Sequence, residues 1–151
     1  MKYIITINIP DGYEFYGIND EGNITLTPKQ IKYPESYAEC CKVLGIDREF
    51  HIMRITHKQD LIASFYRLLV CRDAYWKIAG EQMRLDRPWE PDWRNSEQNK
   101  YVISNDYGRD LNTYKIKCSH VTHILAFPTE EMREAFYDNF KNLIEQCKEL
   151  L

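Results

Sequence analysis

From Leu61 onward, apolar residues return at three- and four-residue steps: Leu61, Phe65, Leu68, Leu69, Tyr75 and Trp76. That period makes one apolar stripe along a helix, and a stripe this long must be buried against other elements. Thr56 and Gln59 stand before it with the T-x-x-Q spacing of a capping box, and Gly80 supplies the residue that commonly ends a helix. The spacing therefore predicts a long central helix from Thr56 to Gly80, and the rest of the chain has to supply the surfaces that cover it.

Two further helices are readable. Ser36-Tyr37-Ala38-Glu39 has the S-x-x-E form in which the Ser oxygen and the Glu carboxylate each satisfy a helix-end amide, and Tyr37, Cys40, Cys41 and Leu44 share a face before Gly45. Near the end, Thr129 can cap a helix whose first turn carries Glu130 and Glu131, where the macrodipole favours acid. Met132, Phe136, Phe140, Leu143, Ile144, Cys147 and Leu151 form its stripe.

Between the helices the period falls to two. Tyr3, Ile5, Ile7 and Ile9 alternate until Pro10-Asp11-Gly12, and Asn23 to Thr27 is extended between the turn Asn19-Asp20-Glu21-Gly22 and Pro28, so these segments predict an N-terminal hairpin. Lys100 to Ile103, Tyr114 to Cys118 and Thr122 to Phe127 read as three strands, with Asp106-Tyr107-Gly108 turning between the first two. The short links predict an antiparallel meander. The expected fold class is α+β, with the hairpin and the three-strand meander packed against two long helices and one short helix. With no linker or repeat in sight, the chain is expected to form a single domain, 1–151.

Composition limits what such a domain can do. The 151 residues carry a net charge of -3, with 44% apolar and 28% charged residues, which is ordinary for a packed protein. Basic residues are interspersed with acids, and this weighs against binding to phosphate backbones in general. Eleven Tyr, six Phe and three Trp make the chain rich in rings suited to a core or a contact surface. The five cysteines, Cys40, Cys41, Cys71, Cys118 and Cys147, have no CxxC spacing and read as reduced core residues. The first residues lack the apolar run of a signal peptide, and no stretch approaches the ~20 apolar residues of a membrane span. The protein is accordingly expected in the cytoplasm of a bacterial host.

Several separated pieces of the second half carry a pedigree. They are Arg72-Asp73-Ala74-Tyr75, the W-x-P-D-W segment from Trp89 to Trp93, Lys100-Tyr101-Val102-Ile103, and the run from Phe127-Pro128-Thr129-Glu130 through Arg133 and Phe136 to Asn139-Phe140 and Leu143-Ile144-Glu145. Over residues 60–151 the chain resembles a domain of uncharacterised proteins encoded by gut Bacteroidetes and their phages and prophages. The resemblance implies a mobile-element context, in which small intracellular proteins often act by binding a host or viral protein. It implies no activity, so no catalytic residue is carried over. Residues 1–59 lie outside it.

Three groups of residues are candidates for chemistry or contact. Trp89, Asp92, Trp93 and Arg94 form the first: either the indoles anchor a loop on the central and last helices while Asp92 caps a turn, or an exposed indole pair grips a peptide or base. The anchoring reading is favoured, and on it Trp93→Ala costs about 3–5 kcal/mol. Arg84, Arg87, Arg94 and Lys100 flank that loop as a local basic patch, the basis for an alternative in which nucleic acid is the partner. The third is Cys118, His120 and His123, soft and imidazole ligands without the spacing of a zinc finger, read as a polar hairpin with no metal. Cys71 or Cys118 paired with His51, His57, His120 or His123 makes a nucleophile only on paper, because Cys71 sits among Leu68, Leu69 and Tyr75. Phosphate-loop, dinucleotide and hydrolase-elbow motifs are absent. The sequence thus favours a non-enzymatic protein that works by protein contact and needs no cofactor, with an enzyme of unfamiliar type as a further alternative.

Overall fold

The computed structural model describes residues 6–47, 57–105, 111–117 and 122–151. Among the described residues the fold is α+β, with three α-helices and two antiparallel sheets. The chain falls into two compact units, residues 1–32 and 33–151.

The first unit is a hairpin, although not the one the alternation suggests. Strand β1 is Tyr13–Ile18 and β2 is Ile24–Pro28. Residues 6–10 carry no strand, and the beginning of the expected strand, residues 1–5, lies outside the described residues. Local turn chemistry decides the pairing. The Asn19 side chain accepts a 2.8 Å bond from the Asn23 amide, the Gly22 amide donates to the Asn19 carbonyl at 2.9 Å, and Gly22 takes a left-handed φ of 81°. Such a turn joins the residues that flank it directly, Ile18 to Ile24, so β2 pairs with β1 rather than with the earlier isoleucines. A bulge between Phe15 and Gly17 hides the period-two pattern of β1 from a sequence reading.

The second unit is organised by helix α2, His57–Gln82, against which α1 (Tyr37–Leu44) and α3 (Glu130–Cys147) pack. Thr56, half of the expected capping box, lies outside the described residues. Ser36 caps α1 as expected, its hydroxyl accepting from the Glu39 amide at 3.3 Å. The Glu39 carboxylate reaches one residue further back, to the Glu35 amide at 2.8 Å. Gly45 takes φ 67°, and the amides of Gly45 and Ile46 donate to the carbonyls of Lys42 and Cys41. Thr129 caps α3 through the Met132 amide, and α3 bends at Phe140.

Gly80 does not stop α2. The helix runs through it, and Arg84 takes the left-handed position instead, with φ 56° and a Leu85 amide bonded to the Gly80 carbonyl at 2.8 Å. Gly80 is needed for a different reason: the chain folds back over it, and a Cβ there would lie 2.3 Å from the Arg87 carbonyl oxygen and 3.0 Å from the Pro88 Cα and the Trp89 nitrogen.

The second sheet contains β3 (Lys100–Ser104), β4 (Asn112–Ile116) and β5 (Leu125–Phe127) in the order β4-β3-β5. It is not a meander. β3, with four of its five residues buried, takes the centre, and the chain after β4 crosses to its other side. The expected Asp106-Tyr107-Gly108 turn lies outside the described residues. Register places Tyr101, Ile103, Leu125 and Phe127 on one face, and the last three join the helices in the core. The outer edge of β5 is closed by α2: Arg72 donates to the Ile124 carbonyl at 3.3 Å and the Trp76 indole to that of Ala126 at 2.7 Å. The Arg72 guanidinium lies 4.2 Å from the Trp76 ring centre and is held by Asp73 at 2.7 Å.

At the centre stands Tyr75, fully buried, with Phe136 edge-on at 5.0 Å and Tyr33 stacked at 5.2 Å. Its hydroxyl donates to the Pro34 carbonyl at 2.8 Å and accepts from the Asn139 side-chain Nδ2 at 3.1 Å. Cys40, Cys41, Cys71 and Cys147 are buried free thiols. Cys118 lies outside the described residues. Among the described residues no helix is long and apolar enough to cross a membrane.

Two measurements test this core. Gly80→Ala ought to raise helix propensity by about 1 kcal/mol. The clash with the returning backbone outweighs that gain, so urea unfolding is expected to show a net loss of about 1–3 kcal/mol. The second concerns alkali. Burial pushes the Tyr37 phenol up to about 12 and the Cys147 thiol up to about 11, and raises the phenols of Tyr75 and Tyr33 as well. Between its ordinary and its folded value each group is protonated when folded and ionised when unfolded, so stability falls as pH rises. The melting temperature is expected to hold up to about the ordinary Cys value of 9.0 and to drop steadily through pH 11 and 12. A flat profile over that range would refute the burial assigned to these groups.

Candidate functional site

The W-x-P-D-W segment is an ordered loop tied by its own polar atoms. Asp92 caps a turn, its carboxylate accepting from the Arg94 amide at 3.0 Å, and the Asn95 side chain does the same for the Glu97 amide at 2.9 Å. Gln98 spans the loop: its side-chain oxygen accepts from the Asp92 amide at 2.6 Å and its nitrogen donates to the Glu90 carbonyl at 3.4 Å. These short polar side chains are the residue types that compete for backbone groups in turns, which is why the stretch forms neither helix nor strand.

The two indoles have different surroundings. Trp89 is buried, its amide bonded to the Trp76 carbonyl at 2.9 Å and its ring edge-on to Trp76 at 5.9 Å. Trp93 is half-buried, and it meets the second face of the sheet. Its ring centre is 5.5 Å from that of His123 and 5.9 Å from the Lys100 ammonium. His123 in turn meets Tyr114 edge-on at 5.7 Å, with the phenol oxygen 3.5 Å from Nε2. Thus the structure brings together Trp93 from one sequence candidate and His123 from another, and adds Tyr114, which sequence reasoning missed. The only trace of Tyr114 in the sequence is its place in a strand. Its partners come from the cross-strand register, which pairs it with Val102.

Lys100 corrects the expected basic patch. It is fully buried, and its ammonium donates to the carbonyls of Asn95, Gln98 and Lys117 at 2.8, 2.9 and 2.5 Å. All three ammonium protons are used, so the charge fastens the loop and the end of β4 to β3 instead of facing solvent. Arg84, Arg87 and Arg94 are exposed. A patch reduced in this way holds less positive charge for a phosphate backbone than the sequence promised.

Among the described residues no group of three or more His, Cys, Asp and Glu side chains converges to hold a metal ion. Cys118 and His120 lie outside the described residues. The Cys71 thiol is pushed up by its hydrogen bond to Cys40 and by burial, which leaves little thiolate for nucleophilic chemistry. A cavity of about 430 Å³ opens where the start of α1 meets the bend in α3, with Glu35, Ser36, Asp138, Asn139 and Lys141 in its wall. Its lining mixes charges of both signs.

Most of the exposed large apolar side chains among the described residues are in the first unit. Register pairs Tyr13 with Pro28, Phe15 with Leu26 and Ile18 with Ile24. The extra residue at the bulge keeps Ile18 in phase with Phe15 although they stand three apart, so all six share one face. Glu14, Gly17, Thr25 and Thr27 take the other. Tyr13, Phe15, Ile18 and Ile24 remain 44%, 48%, 58% and 42% exposed. Sequence reasoning missed this face because it placed the first strand of the hairpin at Tyr3 to Ile9 instead of Tyr13–Ile18.

Comparison with family models, with curated proteins and with solved structures finds no match to this chain.

The weights of the loop residues are separable by mutation. Trp89→Ala is expected to cost about 3–5 kcal/mol, the range for a buried large-to-Ala change. Trp93→Ala should cost less, because Trp93 is only partly buried. Lys100→Met leaves three carbonyls without a donor and should cost about 3 kcal/mol or more. Chemical denaturation of the three variants checks the order, and a Lys100→Met protein as stable as the parent would remove the clamp from the account.

Proposed function

We propose that this protein acts by binding another protein rather than by catalysis, with the apolar face of the β1–β2 hairpin as its contact surface. One observation carries the reading: an isolated two-stranded hairpin is marginal in water unless its apolar face is covered, and this one presents Tyr13, Phe15, Ile18 and Ile24 together without a charged residue among them. Exposed apolar patches of a few hundred Å² on soluble proteins commonly mark interaction sites. Aromatic side chains suit this use, since they give large contact area for few rotors. A standard interface takes about 800 Å² from each partner, so the hairpin would form the dry centre of the contact and its polar rim the edge.

The second unit supports the same reading from the other side. There Lys100 is committed to three carbonyls, Arg72 to Asp73 and the edge of β5, and Asn139 to Tyr75 and Pro34. They act as fasteners. In the mobile-element context implied by the resemblance, the partner is a host or viral protein met in the cytoplasm of a bacterium, and the hairpin, outside the resembling residues, is what is particular to this chain.

The test uses the double variant Phe15→Lys/Ile18→Lys. Substitutions at exposed positions usually change stability by no more than about 0.5 kcal/mol, so its melting temperature should match the parent. Affinity capture from bacterial host lysate should recover a discrete partner with the parent and lose it at least tenfold with the variant, on the order of 1.4 kcal/mol or more. Equal recovery by both proteins, or no partner with the parent, would overturn the assignment.

A further inference from the structure

Among the described residues β2 pairs with β1 alone, so one of its edges carries backbone groups that no strand takes up. Which groups these are follows from the two ends of the ladder. The Asn19 amide donates to the Asn23 carbonyl at 3.0 Å, and the Lys29 amide donates to the Gly12 carbonyl at 2.9 Å. Backbone direction alternates along an antiparallel strand, so both ends give one answer: Asn23, Thr25, Thr27 and Lys29 turn their amides and carbonyls to β1, while Ile24 and Leu26 turn theirs outward. Pro28 also faces outward, the one side on which a residue without N–H costs the ladder nothing. Bulges and charged residues are the usual guards of an exposed edge. β1 has both, in the bulge between Phe15 and Gly17 and in Glu14, whereas Ile24-Thr25-Leu26-Thr27-Pro28 has neither.

We propose that β2 pairs edge to edge with β2 of a second copy of this chain, antiparallel and two-fold symmetric about Thr25. A two-fold contact must be self-complementary, and this edge is. Ile24 of each copy stands opposite Leu26 of the other, and the outward amide of each donates to the outward carbonyl of its opposite. Thr25 meets Thr25 of the other copy on the far face, a favourable cross-strand pair. The same register carries Lys29 to the turn of the other copy, beside Asp20 and Glu21, so opposite charges meet at both ends of the contact. Pro28, with no amide to give, ends the ladder. The product is a four-stranded sheet, two strands from each copy. A lone two-stranded hairpin is marginal in water, and sheets of three or more strands with an apolar face are not, so each copy supplies the strands the other lacks. An axis normal to the sheet keeps the faces on their own sides, and the apolar faces of the two hairpins become one.

Sedimentation velocity of the full chain over a series of concentrations is expected to show a monomer–dimer equilibrium. Thr25→Lys places two ammonium groups opposite each other at the axis and should weaken dimerisation by on the order of tenfold or more. Within one copy the new side chain lies across from Gly17, where there is open space, so the hairpin itself is kept. Thr25→Cys should form a covalent dimer under mild oxidation, released by a thiol reductant, because directly opposite residues of a non-hydrogen-bonded pair lie within disulfide reach. Thr27→Cys should behave as the parent does, since its counterpart is about 13 Å away along the strands. A monomer at every concentration, a Thr25→Lys protein that associates as tightly as the parent, or equal cross-linking through Thr25→Cys and Thr27→Cys each overturns the proposal. Should Thr25→Lys fail to fold, the contrast between the two cysteine variants decides alone. The edge is separate from the apolar face: Thr25→Lys keeps every face residue, and Phe15→Lys/Ile18→Lys keeps the edge of β2, so this proposal and the contact function can fail independently.

Discussion

A buried phenol has to be both surrounded and satisfied, and in this protein Tyr75 meets the two demands with different parts of the chain. Its ring is enclosed by Tyr33, Phe127, Phe136 and Phe140, which come from the strap before α1, from β5 and from α3. Its hydroxyl is paired with Pro34 and Asn139. Without those partners the hydroxyl would carry a desolvation penalty of about 1–3 kcal/mol, and without the rings the core would lose its largest contacts. One residue of α2 therefore fixes the strap, the last helix and the sheet together.

The neighbours of Tyr75 along α2 extend the same logic outward. Arg72 and Trp76 close the outer edge of β5, a place where unpaired backbone would otherwise invite further strands. Gly80 permits the returning chain to lie directly on the helix, and this return puts Trp89 against Trp76. The segment that follows covers the second face of the sheet and is fastened there by Lys100. A buried ammonium is tolerable because three carbonyl dipoles take the place of water, and it gives the loop a single register.

In the second unit Lys100, Arg72 and Asn139 are held in internal hydrogen bonds. The hairpin is the reverse case. Its turn is closed by local hydrogen bonds, while Tyr13, Phe15, Ile18 and Ile24 stay exposed. The bulge at Tyr16 sets which of these side chains share the face.

How far all this was legible depends on the range of the interaction. Sequence alone determined the three helices, the caps at Ser36 and Thr129, the left-handed Gly45, the turn role of Asp92 and the α+β class, because each follows from residues within a few positions of one another. The pattern also marked Gly80 and Trp93 as special, yet for the wrong reasons: Gly80 is a contact rather than a stop, and Trp93 rests on His123 and Lys100 rather than on the last helix. Tertiary structure alone decided the strand order β4-β3-β5, the burial of Lys100, the meeting of Trp93, His123 and Tyr114, and the apolar face of the hairpin. Each of these needs groups far apart in the chain, or a register set by one extra residue, and periodicity holds no record of which distant segment will arrive opposite a given side chain.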